Sequence, residues 1–247
     1  MKALILAAGY AVRLYPLTRK YPKPLLPVGK KPIINHIVDK LNRLEEIDEI
    51  IVVTNSKFIS AFRKWKGRLK TAKKLSIIDD LTRDESDRRG AIGDMYFAIS
   101  KKKISSDLLV IGGDNLFDEG LADFVGFARE KKSSPVIGIY DIKDTEKTSK
   151  YGVVKLDRQG RITDFREKPA HSRSTLVAMC LYYFPKGKLK LVGDYLKIKK
   201  NKKDATGFYI NWLRKKVAVY GFIFDQRWYD IGDFGFYRQA QRKFSGN

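Results

Sequence analysis

A chain of 247 residues that is 43% hydrophobic and 12% aromatic can bury a full α/β core, which excludes a disordered or fibrous class. Its 50 Lys and Arg against 28 Asp and Glu leave a net charge of +22, a surface that favours anions such as nucleotides, nucleic acid or acidic lipid. The lone cysteine, Cys180, excludes an internal disulfide and a Cys-rich metal site, and no apolar run reaches the ~18–20 residues of a membrane-spanning helix.

Residues 3–7 form a short apolar run that reads as a buried strand. The run leads at once into Gly9, Arg13 and Pro16, so it does not read as a secretion signal. Residues 9–29, with Pro16, Pro22, Pro24 and Pro27, read as a loop. Pro32 then opens a helix on which Ile33, Ile34, Ile37, Val38, Leu41 and Leu44 share one face. Residues 50–54 and 75–78 read as strands, and residues 58–65 and 90–100 as helices. A strand over 108–111 ends in Gly112-Gly113-Asp114-Asn115, before a helix over 121–131 and a strand over 136–140. This alternation predicts a mainly parallel sheet covered on both faces. The pattern then changes. Residues 152–156 and 161–166 flank Asp157-Arg158-Gln159-Gly160 as a hairpin, and residues 176–184 and 217–224 read as strands. Residues 189–200, 208–216 and 234–244 read as helices. No repeat or linker interrupts the chain, so one domain over 1–247 is expected.

Five segments carry groups suited to chemistry. Leu6-Ala7-Ala8-Gly9 ends a strand where open α/β sheets bind ligands, and Arg13 adds a forked cation for phosphate. In Pro22-Lys23-Pro24 the two prolines restrict the backbone and aim the Lys23 ammonium, which suits a transferring phosphoryl group. Asp114 follows a central strand, a good place for a Mg²⁺ ligand; Gly, Asp and Asn there also suit an ordinary turn. Near the C-terminus, Asp230 is assigned to the metal and Asp233 to the N-cap of the last helix. Glu167 and Lys168 end a hairpin strand and can meet a hydroxyl and a phosphate.

Taken in order, these segments resemble the sugar-1-phosphate nucleotidylyltransferases. The resemblance rests on Leu6-Ala7-Ala8-Gly9, Arg13-Leu14, Pro22-Lys23-Pro24-Leu25, Gly113-Asp114-Asn115, Tyr151-Gly152-Val153-Val154, Glu167-Lys168-Pro169 and Trp228-Tyr229-Asp230-Ile231-Gly232. It implies a Rossmann-like, mixed but mostly parallel sheet flanked by helices, with a β-rich sugar-binding subregion. Residues 1–140 would form the nucleotide-binding half, 141–230 the sugar-phosphate half and 231–247 a closing helix. It implies transfer of a nucleotidyl group from dTTP or UTP to a sugar 1-phosphate, glucose 1-phosphate first, with Mg²⁺ as cofactor. Leu6, Ala8, Gly9, Arg13, Lys23 and Gly90 would bind the nucleotide. Asn115, Gly152, Glu167 and Lys168 would bind the sugar phosphate. Asp114 and Asp230 would hold the metal, and Arg13, Lys23 and Asp114 would be catalytic.

The chain departs from the family pattern at three internal places, and as a fourth departure neither a β-helical acyltransferase domain nor a long regulatory extension is expected. Ala11 and Val12 stand where relatives carry Gly and Thr, residues 79–89 are long and charged where relatives have a short base-reading loop, and Met179-Cys180 replaces a small Thr-Gly-like pair. Two other readings follow: a cytidylyltransferase acting on a different phosphorylated small molecule, or a catalytically silent regulatory or assembly subunit. The basic runs over 57–74 and 197–203 have few interleaved aromatics, which disfavours nucleic acid as a partner. No membrane partner is expected, a cytoplasmic setting fits the single thiol, and a homo-oligomer is left open.

Overall fold

The computed structural model describes residues 1–244. The chain runs β1 (Lys2–Leu6), the short strands β2 (Pro27–Val28) and β3 (Lys31–Pro32), α1 (Ile33–Asn42), β4 (Glu49–Thr54), α2 (Ile59–Arg68), β5 (Lys74–Asp79), α3 (Gly90–Lys101), β6 (Leu108–Gly112), β7 (Asn115–Phe117), α4 (Ala122–Glu130) and β8 (Val136–Asp141). It continues through β9 (Gly152–Leu156), β10 (Ile162–Glu167), β11 (Leu176–Phe184), α5 (Lys190–Leu196), α6 (Thr206–Leu213), β12 (Tyr220–Phe224), β13 (Trp228–Asp230) and α7 (Phe234–Phe244).

Apolar runs without polar alternation demand burial on both faces, and the central strands obtain it. In β1, Ala3 and Ile5 face one core while Leu4 faces the other; β4 divides Ile50 and Val52 from Ile51 and Val53, and β6 divides Leu109 and Ile111 from Leu108 and Val110. The first core is closed by Ile34, Ile37, Val38 and Leu41 of α1, Phe62 and Trp65 of α2, and Phe124, Val125 and Ala128 of α4. The second is closed by Ile92, Met95 and Ala98 of α3, Tyr195 of α5, and Tyr209, Ile210 and Leu213 of α6. Each fully buried Val, Leu, Ile, Phe or Met among them contributes roughly 1.5–3 kcal/mol.

The main sheet has the order β10-β9-β11-β6-β1-β4-β5, with β8 also paired to β11 and β12 to β8. β6, β1, β4 and β5 are mutually parallel, whereas β11 is antiparallel to β6, β8 and β9. This is the α/β, mixed, helix-flanked sheet expected from the sequence. A third, smaller core joins Leu14, Leu26, Val28 and Ile33 to Leu116, Tyr229, Ile231 and Ala240. It pins the proline-rich loop against the ribbon of β7 and β13 and against α7.

Several boundaries differ from expectation. The helix expected over 189–200 ends at Leu196; beyond it Ile198 is 44% exposed among lysines, so nothing rewards continuing. The strand expected over 217–224 begins at Tyr220, and Pro32 sits before α1 in a short strand rather than inside the helix. The β7–β13 pairing, Asn115 to Asp230 and Leu116 to Tyr229, joins segments far apart in sequence and was not foreseen. Among the described residues, no helix is long and apolar enough to cross a membrane.

Candidate active site

The carboxyl ends of β1 and β6 meet at one edge of the sheet, where Gly113 N donates to Leu6 O at 2.8 Å. A Cβ on Gly113 would sit 2.9 Å from that oxygen, so glycine permits the approach. The loop after β1 is held open by Asn55, whose Nδ2 donates to Ala8 O (2.8 Å) while its Oδ1 accepts from Phe58 N (3.1 Å). Ala11 adopts a left-handed backbone (φ 51°), the conformation glycine favours, and Thr18 Oγ1 and Leu14 N both bond its carbonyl. Ala11 thus holds a backbone conformation that costs alanine more than it would cost glycine.

Lys23 opens a 3₁₀ turn over Lys23–Leu25, with Pro22 at its N-cap and Pro24 within it. Its Nζ donates to Ile231 O (2.9 Å) and pairs with Asp114, with only 14% of the side chain exposed. Asp230, at the end of β13, lines the same region. Burial raises its carboxyl above the usual range, the Asp114 carboxylate raises it further, and Lys23, Arg13 and Lys168 pull it back. Two acids and three cations expected from the sequence therefore act on one point.

Two recesses open from that point. The larger, about 460 Å³, lies within the ~300–1,000 Å³ of small-ligand sites. It is bordered by Leu6, Ala8, Gly9, Arg13, Lys23, Gly90 and Asp114, so all the expected nucleotide-side residues come together. The second is bordered by Arg13, Tyr151, Gly152, Glu167, Lys168, Thr206, Gly207 and Asp230. Burial raises the Glu167 carboxyl, with Lys168 opposing. A Cβ on Gly152 would lie 2.5 Å from the Phe165 ring and 3.1 Å from Glu167 Oε2, and one on Gly207 would overlap that carboxylate. Two glycines thus make room for Glu167. Cys180 borders both recesses in a left-handed backbone (φ 55°), at a register shift of β11 between Ala178 and Tyr182. Burial, and then Asp114, push its thiol up to about 12, so it stays neutral.

Asn115 stands apart from this grouping. Only 2% exposed, it accepts the Trp228 indole N–H at 2.7 Å and donates to Gly112 O at 3.4 Å. Its side chain is thereby committed to holding the β7–β13 ribbon instead of being offered to the cleft as expected. Asp233 caps α7, accepting from Phe236 N at 3.0 Å. Arg88 and Asp204, not expected from the sequence, form a two-pronged pair (3.1 and 2.9 Å) on the lining of the larger recess. The backbone beside Asp204 closes over α3, since Lys203 O accepts from Ile92 N and a Cβ on Gly90 (φ 76°) would sit 2.7 Å from it. Thr206, Gly207 and Asp94 were also missed. None of these lies in a motif with local spacing.

The sequence profile of the nucleotidyl transferase family matches residues 2–246. The bifunctional protein GlmU of Methanococcus aeolicus is 30% identical over 233 residues, covering 94% of this chain and 51% of that protein, so the chain spans about half the length of that relative. The UTP–glucose-1-phosphate uridylyltransferase AglF of Haloferax volcanii is 28% identical over 184 residues, 74% of this chain and 72% of that protein. The crystal structure of a Bacillus anthracis protein described as a glucose-1-phosphate thymidylyltransferase superposes with a TM-score of 0.82 over 100% of this chain and 96% of that one. At 21% identity that is a likeness of fold.

Proposed function

Because the chain belongs to the nucleotidyl transferase family, we propose that it transfers a nucleotidyl group from a nucleoside triphosphate, dTTP or UTP, to a sugar 1-phosphate, glucose 1-phosphate first. The observation that carries this reading is the junction of the two recesses, where Lys23, Arg13 and Lys168 gather around Asp114 and Asp230. One recess then takes the nucleotide and the other the sugar, with the reacting phosphates at the cations.

A sugar phosphate is already anionic near neutral pH, so no strong base is required. Its oxygen attacks the α-phosphorus; the bond to the β-phosphate oxygen breaks, and pyrophosphate leaves with the electron pair. Arg13 and Lys23 neutralise the triphosphate and Lys168 the incoming phosphate, so alignment and charge supply the acceleration. Leu6, Ala8, Gly9 and Gly90 border the nucleoside, and Gly152 and Glu167 the sugar. Asn115 is assigned a positioning role through Trp228. The residues fit a Mg²⁺: burial and the Asp114 charge together raise the Asp230 carboxyl, a crowding that a divalent cation relieves. Asp114 and Asp230 would hold it, and when bound it supplies positive charge to the phosphate oxygens.

A panel of each nucleoside triphosphate with several sugar 1-phosphates and Mg²⁺, read by pyrophosphate release, tests the proposal. Turnover is expected with UTP or dTTP and glucose 1-phosphate. Turnover confined to CTP and phosphorylated amino alcohols would replace the acceptor assignment. Silence with every pair would favour the regulatory-subunit reading.

A further inference from the structure

The lysine run over 197–203 holds no aromatic residue of its own, but folding sets Tyr96, Phe97 and Phe208 beside it. A surface groove of about 270 Å³ lies between α3 and the segment that follows α5. Arg89, Gly93, Tyr96 and Phe97 line it from one side, Leu196 and Lys203 from the other. At 1.5 Å per residue, α3 runs beside it for about 16 Å from Arg89 to Ser100. The groove shares no lining residue with either recess of the cleft.

Tyr96 is 44% exposed yet held in place. Its ring lies on the backbone of α5, where a Cβ on Gly193 would stand 2.8 Å from its Cε2, so the glycine lets the ring lie down on the helix. Phe97 beside it has the Arg89 guanidinium 4.4 Å and the Lys101 ammonium 5.2 Å from its centroid, and Lys202 lies 4.8 Å from that of Phe208. Arg89 is anchored by Nε donating to Asp80 O at 2.6 Å. The acids nearby are engaged, Asp194 by Lys197 at 3.2 Å and Asp204 by Arg88 at 2.9 Å. The ammonium groups of Lys199, Lys200 and Lys203 have no ion pair or hydrogen bond among the described residues.

A cationic groove with a fixed, exposed ring is the combination that holds a single nucleic-acid strand, because cations track the phosphodiesters while an unpaired base stacks on the ring. We propose that this groove binds single-stranded nucleic acid, with a base on Tyr96 and phosphates at Lys199, Lys200 and Lys203. A duplex keeps its bases stacked on one another and has none to offer Tyr96. An acidic peptide matches the cations, but its carboxylates gain nothing from the face of an aromatic ring, which is itself negative. A second copy of the chain would bring like charges together. The proposal goes beyond nucleotidyl transfer and does not depend on it.

Fluorescence anisotropy of labelled oligouridine and oligothymidine with the full chain, over a range of salt, tests this, and the tighter of the two tells RNA from DNA. The single strand should bind at least about tenfold more tightly than the matching duplex or polyglutamate. Tyr96→Ala should weaken strand binding by about tenfold, whereas Tyr96→Phe, which keeps the ring, should stay within about threefold of wild type. Lys199→Gln with Lys200→Gln should lower the slope of log affinity against log salt by about 1.4, at about 0.7 per lost phosphate contact. The melting temperature should hold in each variant, since all three side chains are exposed. Equal affinity of Tyr96→Ala and wild type would overturn the proposal. So would Tyr96→Phe failing as badly as Tyr96→Ala, an unchanged salt slope in the lysine variant, or duplex or polyglutamate binding as tightly as the single strand.

Discussion

Replacing Lys23 by methionine keeps the length and most of the apolar stem of the side chain and deletes the charge. In the wild type the ammonium bonds Ile231 O at 2.9 Å and pairs with Asp114, the two side chains being 14% and 29% exposed. Breaking a fully buried pair costs about 3–5 kcal/mol and an exposed one about 0–1 kcal/mol. At this intermediate exposure a loss of about 1–2 kcal/mol is expected, lowering the melting temperature by about 3–6 °C in a chain of this size. The acids Asp114 and Asp230 are then left facing one another with less compensation, so Mg²⁺ should raise the melting temperature more in Lys23→Met than in wild type. Turnover should fall by about 10²–10³, the usual consequence of removing one preorganised positive group from a charged transition state. Thermal melts with and without Mg²⁺, together with pyrophosphate release, read both effects. A variant that keeps turnover within tenfold of wild type, or that shows no larger Mg²⁺ shift, would refute the role assigned to Lys23.

Three further outcomes follow from the packing. Gly207→Ala places a Cβ against the Glu167 carboxylate and 2.6 Å from the Phe165 ring; KM for the acceptor should rise by about tenfold or more while that for the triphosphate changes little. Cys180→Gly releases a side chain from a left-handed backbone and enlarges the acceptor recess. The ratio of kcat/KM for a 2-acetamido sugar 1-phosphate over the plain hexose phosphate should rise by about tenfold, and an unchanged ratio would show that the thiol does not limit the acceptor. Burial of Glu49 would raise its carboxyl, but Lys102 and Ser76, each at 2.6 Å, and Lys2 at 3.2 Å outweigh it and hold it at about 2. The folded value lies below the ordinary 4.5, so this stabilisation, on the order of 2–3 kcal/mol, is fully present above about pH 4.5 and is lost as the pH falls toward 2. The gap between wild type and Glu49→Gln in urea melts should therefore be large at pH 7 and shrink toward pH 2; an equal gap at both would contradict it.

What the sequence disclosed was local. The runs that became β1, β4 and β6 are apolar without alternation because both faces are buried, and the spacing of Ile34, Ile37, Val38 and Leu41 announces one helical face. Lys23 was conspicuous because prolines bracket it, and Asp233 because a capping residue must precede α7. What stayed hidden depends on distant partners. Asn115 looked like a site residue from its place beside Asp114, yet the Trp228 indole, 113 positions away, claims its side chain. Arg88 meets Asp204 across 116 positions, and Asp94 becomes unusual only once folding sets it beside Asp80. The left-handed backbone at Ala11 and Cys180 was equally illegible, since neither residue type advertises that conformation.

In the proposed reaction the cleft moves a nucleotidyl group and no other part of the triphosphate. The most direct measurement follows two radiolabels, one on the α-phosphorus and one on the γ-phosphorus of the donor, through a single incubation with glucose 1-phosphate. The α-label should enter a nucleoside diphosphate sugar while the γ-label leaves in pyrophosphate, both only when the acceptor is present. Recovery of the γ-label in orthophosphate or on the sugar would contradict it.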